Sequence, residues 1–163
     1  KRDWSSDVCS SDLEIRINYT VDDGFCFKAA SCEDSKGNKK ASEADVEALH
    51  EFLEELLEMN QWKERQRESI MRLDRDGERF IRIFKQPNGM TKFRFVEPWQ
   101  VTSGSNAGPG LDMGVLTEPD DVETALAYYV ADSAGTEPVP VDAEEIQHIK
   151  ANVDLNEIGR AYV

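Results

Sequence analysis

Between Trp62 and Trp99 the sequence changes its hydrophobic period, and that change constrains the fold more than any other feature of the chain. Over WKERQRESIMRLDRD, Ile70 and Leu73 recur at helical spacing with Trp62 two turns earlier, and Gly77 ends the pattern. From Glu78 to Lys85 the chain is rich in β-branched and aromatic residues, Pro87-Asn88-Gly89 supplies turn chemistry, and Thr91 to Glu97 alternates again. The stretch therefore predicts a helix feeding a β-hairpin. With Asn88-Gly89 as the central turn residues, Phe84 opposes Phe93 and Arg82 opposes Phe95, so Phe80, Phe84, Phe93 and Phe95 share one face. The nearest cover for that face is the preceding helix, and Trp62, Ile70 and Leu73 join the four phenylalanines as the predicted structural core. Such a face could also stack bases, but core is the commoner use of four aromatics. On this reading Phe84→Asp or Phe93→Asp unfolds the domain, and Asp76→Asn leaves it folded.

The first thirteen residues stand apart. Asp3 to Leu13, DWSSDVCSSDL, resembles the conceptual translation of a sequencing-adapter oligonucleotide. Lys1 to Leu13 is therefore expected to be an adapter-derived artefact without structure, and the natural N-terminus to be missing. Setting these residues aside removes two basic and three acidic side chains, which moves the net charge only from −14 to −13. A chain so acidic repels nucleic acid in bulk, and it holds no cluster of Lys and Arg of the kind that neutralises phosphates. No run of about 18 apolar residues offers a membrane span. Cys26 and Cys32 lack the spacing of a zinc site and read as reduced thiols in an intracellular setting.

In chain order, Glu14 to Ala30 alternates on both sides of Asp22-Asp23-Gly24 and predicts two strands joined by a tight turn. Ser31 to Ala41 reads as an exposed loop whose Lys36, Lys39 and Lys40 are solvated. Ser42 with Asp45 resembles a capping box opening a helix, along which Val46, Leu49, Phe52, Leu53, Leu56 and Leu57 form an apolar stripe. Glu47, Glu51, Glu54, Glu55 and Glu58 make the opposite, solvated face. Asn60-Gln61 weakens the helix before Trp62 resumes it. Asp74-Arg75-Asp76-Gly77-Glu78 lacks the glycine position and the bidentate Glu of a calcium loop. Pro98 ends the hairpin's second strand, and Thr102 to Gly110 is a loop without the spacing of a phosphate cradle. Leu111 to Leu116 predicts a short strand, Glu118 to Asp121 a turn, and Ala125 to Ala131 a buried strand with Tyr128 and Tyr129 on opposite faces. Asp132 to Pro140 is a turn region. Val141 to Lys150 predicts a further strand with Ile146, His148 and Lys150 on one face. His50 and His148 lie on unrelated elements, and His148 reads as a satisfied structural residue. The fold class that results is α+β, with helices packed on antiparallel β-hairpins.

Four segments resemble, in order, those of tailed-phage portal proteins of the lambda-like class: RLDRDGERFIRIF, FRFVEPWQV, TEPDDVETALAYYV and VDAEEIQHIKANVD. The family's pattern has a tryptophan-bearing helix, a "DGE.F.R" strand, an "EP..V" hairpin end, a "DPDDVET.LAY" turn-strand and a histidine following "EEIQ". The resemblance spans Ile15 to Val153. It departs at Gly159-Arg160, which stands in reversed order where the family continues through an Arg-Gly turn into its channel helix. The resemblance implies that residues 14–163 are a partial α+β domain, truncated at both ends, from the outer, wing-like part of a portal subunit. It further implies a non-enzymatic part of a dodecameric ring at the capsid vertex, present in the virion and in host cytoplasm during assembly. Its partners would be further copies of itself, the terminase large subunit, and head-completion and tail proteins. Double-stranded DNA would pass through without specific binding, and neither membrane, cofactor, metal nor catalytic residue is implied. Two other readings stay open on residues alone: a hydrolase using Asp74, Asp76 and Glu78, or a module that binds a partner along the hairpin edge.

Overall fold

A computed structural model describes residues 7–32, 41–105 and 108–151. These form three helices and two antiparallel sheets, an α+β fold. The chain divides into two units, Lys1–Glu68 and Ser69–Val163, where the sequence suggested one domain, and the boundary falls inside the third helix. Lys36, Lys39, Lys40 and Gly159-Arg160 lie outside the described residues. Among the described residues no helix is long and apolar enough to cross a membrane.

The first unit corrects two expectations. A helix, α1, runs Asp7–Thr20, so Asp7 to Leu13 is helical where no structure was expected. Glu14 to Ala30 does not form two strands. The alternation of Ile15, Ile17, Tyr19 and Val21 is ambiguous, because Ile17 and Val21 are also four apart; these two are buried while Ile15 and Tyr19 are exposed. From Gly24 to Cys32 the chain forms neither helix nor strand. Gln66 holds it there, accepting from the Phe25 N–H at 2.7 Å and donating to the Phe25 carbonyl at 3.3 Å. Arg67 donates to the Asp22 carbonyl and to Asn18 Oδ1, both at 2.8 Å, which satisfies groups at the end of α1. Cys26 and Cys32 are free and exposed.

Helix α2, Glu43–Met59, starts at the expected capping box. The Asp45 N–H donates to Ser42 Oγ, and the Ser42 hydroxyl, then the Ser42 N–H, donate to the Asp45 carboxylate and hold that carboxyl below the ordinary carboxylate range. Its apolar stripe is not a core. Val46, Leu53, Leu56 and Leu57 are half-buried, Leu49 and Phe52 are exposed, and no residue of α2 is buried. Asn60 caps α2 from a buried position, and α3, Trp62–Asp76, follows immediately after Gln61.

In the second unit, β1 (Glu78–Phe84) is the centre of a sheet ordered β2-β1-β7, with β2 at Lys92–Val96 and β7 at Ile146–Lys150. The hairpin is as expected, but its register is one residue away. Phe80 pairs with Val96, Arg82 with Arg94, and Ile83 with Phe93. The turn explains the shift. Pro87 and Asn88 are its central residues, the Gly89 N–H donates to the Gln86 carbonyl at 3.0 Å, and Gly89 adds a left-handed residue at φ 82°. A slip of one residue exchanges faces. The four phenylalanines therefore do not share a face: Phe80 and Phe84 stand with Arg82, and Phe93 and Phe95 stand with Ile81 and Ile83. Helix α3 meets the second of these faces, with Arg72 stacked 4.6 Å over Phe95 and donating to Glu97 at 2.6 Å.

The second sheet runs β3-β4-β5-β6. Leu111 to Leu116 is a tight hairpin instead of one strand: β3 (Leu111–Asp112) returns as β4 (Val115–Glu118) through Met113 and Gly114, at φ 45° and 86°. A Cβ on Gly114 would stand 2.4 Å from the Thr102 backbone nitrogen, so glycine is required there twice over. Strand β5 is longer than expected, at Asp121–Val130. The single strand expected over Val141 to Lys150 is two, because a 3-10 turn at Ala143–Glu145 separates β6 (Val139–Asp142) from β7 and sends them to different sheets.

The core lies between the sheets, in a cluster of Phe80, Val96, Val101, Val115, Tyr128, Val130, Val141 and Ile146. Six of these eight fall after Trp99, so the helix-on-hairpin stretch does not supply most of the core. Of the expected core residues Phe80 is fully buried, Trp62, Ile70, Leu73, Phe93 and Phe95 are half-buried, and Phe84 is 41% exposed, which removes it from the core. We expect Phe80→Ala to cost about 3–5 kcal/mol in urea unfolding, whereas Phe84→Asp stays within about 1 kcal/mol of the parent. A Phe84→Asp chain as unstable as Phe80→Ala would contradict this placement.

Candidate functional site

Strand β1 opens with a glutamate, and the sheet interior closes over it. The β1–β7 register sets Glu78 opposite Lys150 and Phe80 opposite His148, so Glu78, Phe80 and His148 project from one face toward the second sheet. Glu78 is 3% exposed. Its Oε2 lies 3.0 Å from His148 Nε2, in an imidazole that is itself almost wholly buried. His148 Nδ1 faces the Tyr128 hydroxyl at 3.5 Å. Phe80 stacks on the imidazole with ring centroids 4.1 Å apart and 28° between planes, and Tyr128 meets both rings edge-on. With Nε2–H donated to Glu78, the remaining lone pair on Nδ1 is the acceptor for the phenol; this tautomer is assigned from the partners.

A cavity of about 200 Å³ opens beside Tyr128 and His148, with Thr117, Glu123 and Lys150 among its lining residues. Its chemistry is limited by the third member of the cluster. A carboxylate–imidazole pair is the base half of a nucleophilic triad, but the group at Nδ1 is a phenol, not an alcohol or thiol. Burial, then the charge of Glu78, push the Tyr128 phenol above its ordinary value of 10.0. Ionisation is thus disfavoured where an attacking oxygen would need it, and the arrangement serves to satisfy a buried carboxylate and fix an aromatic ring between two sheets.

Of the carboxylates that the hydrolase reading named, only Glu78 belongs to this cluster. Asp76 takes a two-point contact from Arg75 at 2.7 Å, and Asp74, on α3, is half-buried. Among the described residues no group of three or more His, Cys, Asp or Glu side chains could hold a metal ion. The sequence reading missed the Glu78–His148 pair, whose members are 70 residues apart. A signal was present: alternation sets His148 on the same face as Ile146, which the core requires. His50 is elsewhere, in the first unit, paired with Glu54 at 3.3 Å one turn along α2. Compared with known proteins, the chain matches no family model and no curated sequence.

His148→Ala leaves a buried carboxylate without this partner, and we expect a loss of about 3–5 kcal/mol. Replacing both members by apolar residues, as in Glu78→Leu/His148→Phe, should cost less than His148→Ala alone when both are measured by urea unfolding. The phenol predicts an alkaline effect. A raised folded value means that the folded chain holds the Tyr128 proton more tightly than the unfolded chain, so this stabilisation is complete below about pH 10 and is lost as pH rises through the folded value. In near-ultraviolet titration, with Tyr128→Phe as the blank, Glu78→Gln should move the Tyr128 transition to lower pH, and an unmoved transition would contradict the geometry.

Proposed function

We propose that this chain is part of the structural subunit of a tailed-phage portal ring, from the outer region and without enzymatic activity. One observation supports the reading most strongly. The four segments that resemble the family contribute to one core: Phe80 comes from the first, Val96 and Val101 from the second, Tyr128 and Val130 from the third, and Val141 and Ile146 from the fourth. Residues scattered over the sequence are thus the seam of one unit, as expected if the segments descend together as a module. The acid-rich composition agrees with a conduit for double-stranded DNA, because favourable phosphate contacts would act as friction on a sliding duplex. In this role the chain meets further copies of itself, and the assembled ring meets the terminase large subunit and the head-completion and tail proteins. Its setting is the capsid vertex, with host cytoplasm as the site of assembly.

Negative-stain microscopy of the purified full-length protein tests the proposal. End-on views with rotational symmetry about a central hole are the expected result. A monodisperse monomer or dimer at every salt and protein concentration would overturn it.

A further inference from the structure

Helix α2 is capped, amphipathic and 17 residues long, yet no residue of it is buried. Helices in proteins draw most of their stability from packing an apolar face, and within the first unit this one finds no surface that buries it. Leu49, Phe52 and Met59, spaced by three and seven residues, are the exposed part of its stripe, and Glu51, Glu55 and Glu58 run alongside them. The helix carries seven acidic residues and neither Lys nor Arg.

The β1–β2 hairpin has the opposite character. From Arg79 to Val96 there are five cationic side chains and no acidic one, within a chain of net charge −14. Lys85, Lys92 and Arg94 are exposed, and Lys85 makes a solvent-facing contact with Glu144 at 3.4 Å. Beside them Phe84 is exposed, with the Arg82 guanidinium stacked 4.8 Å over its ring. The hairpin thus presents an aromatic flanked by cations, the complement of an apolar stripe flanked by carboxylates.

We propose that α2 of one copy receives the β1–β2 hairpin of a second copy, with Phe84 on the Leu49–Phe52–Met59 stripe and Lys92 and Arg94 against the Glu51–Glu55 row. The choice of a second copy as occupant rests on the ring reading above, while the complementarity of the two faces stands without it. The two surfaces differ, so the contact is heterologous. It repeats from copy to copy and closes into a ring when the rotation allows.

The test is a charge swap in the full-length protein, read by sedimentation velocity over a range of salt. Each of Lys92→Glu/Arg94→Glu and Glu51→Lys/Glu55→Lys should weaken self-association by about tenfold or more. An equimolar mixture of the two variants, or both changes in one chain, should restore it. Restoration also shows that each variant is folded. The parent's association should weaken as salt rises. Association indifferent to either reversal, or not restored by mixing, overturns the docking, as does a parent that remains monomeric. So does a parent that binds duplex DNA through Lys92 and Arg94 while its self-association is unchanged by their reversal. Association that obeys the swap but forms no closed ring supports the docking and counts against the ring reading alone; rings indifferent to the swap do the reverse.

Discussion

A carboxylate buried at the start of a central strand has to be satisfied by the fold around it, and in this chain the group that does so is His148. The pairing reaches across 70 residues and fixes more than one hydrogen bond. It holds the β1–β7 register, because moving β7 by one residue would turn His148 to the other face and leave Glu78 without it. It sets the imidazole on Phe80, and Phe80 with His148 then sets the edge-on position of Tyr128. The two sheets of the second unit meet at this cluster, with the valines of β4, β5 and β6 packed around it.

The two units differ in how they are held. The second is organised by burial between sheets. In the first, polar contacts do much of the holding: Gln66 clamps the Phe25 backbone, Arg67 satisfies the end of α1, and Arg65 donates to the Asn60 carbonyl at 2.7 Å, while α2 buries nothing fully. Charge is divided in the same uneven way, acidic along α2 and basic along the hairpin. The ring proposed above would need two unlike surfaces that recognise each other, and an uneven distribution of this kind would supply them without a large apolar patch on either.

Several local signals in the sequence match the structure, although the tight turn at Met113-Gly114 and the 3-10 turn at Ala143–Glu145, both local, do not show in the alternation that surrounds them. The capping box at Ser42, the breaks at Asn60 and Gly77, the turn at Pro119 and the tyrosine strand all depend on residues within a few positions of one another. Three features depend on more than that. The hairpin register turns on whether Gly89 is a central turn residue or an extra left-handed one, and that single residue decides which face Phe93 and Phe95 occupy. Helix α1 carries an alternation compatible with a strand, and the tie is broken by the burial of Ile17 and Val21. Glu78 sits in a highly charged turn sequence that gives no sign of burial, and its contact with His148 comes from a strand 70 residues away. The α+β class was therefore legible, whereas the location of the core and the identity of the polar cluster were set by contacts distant in sequence.

The central claim is the buried Glu78–His148 pair at the sheet seam, and the most direct measurement is nuclear magnetic resonance of the His148 ring in the isotopically labelled full-length protein. The account predicts a ring N–H on Nε2 that exchanges slowly with water, together with cross-relaxation between the imidazole and the Phe80 ring. A ring whose N–H exchanges at the rate of a solvent-exposed histidine, with no contact to Phe80, would contradict it.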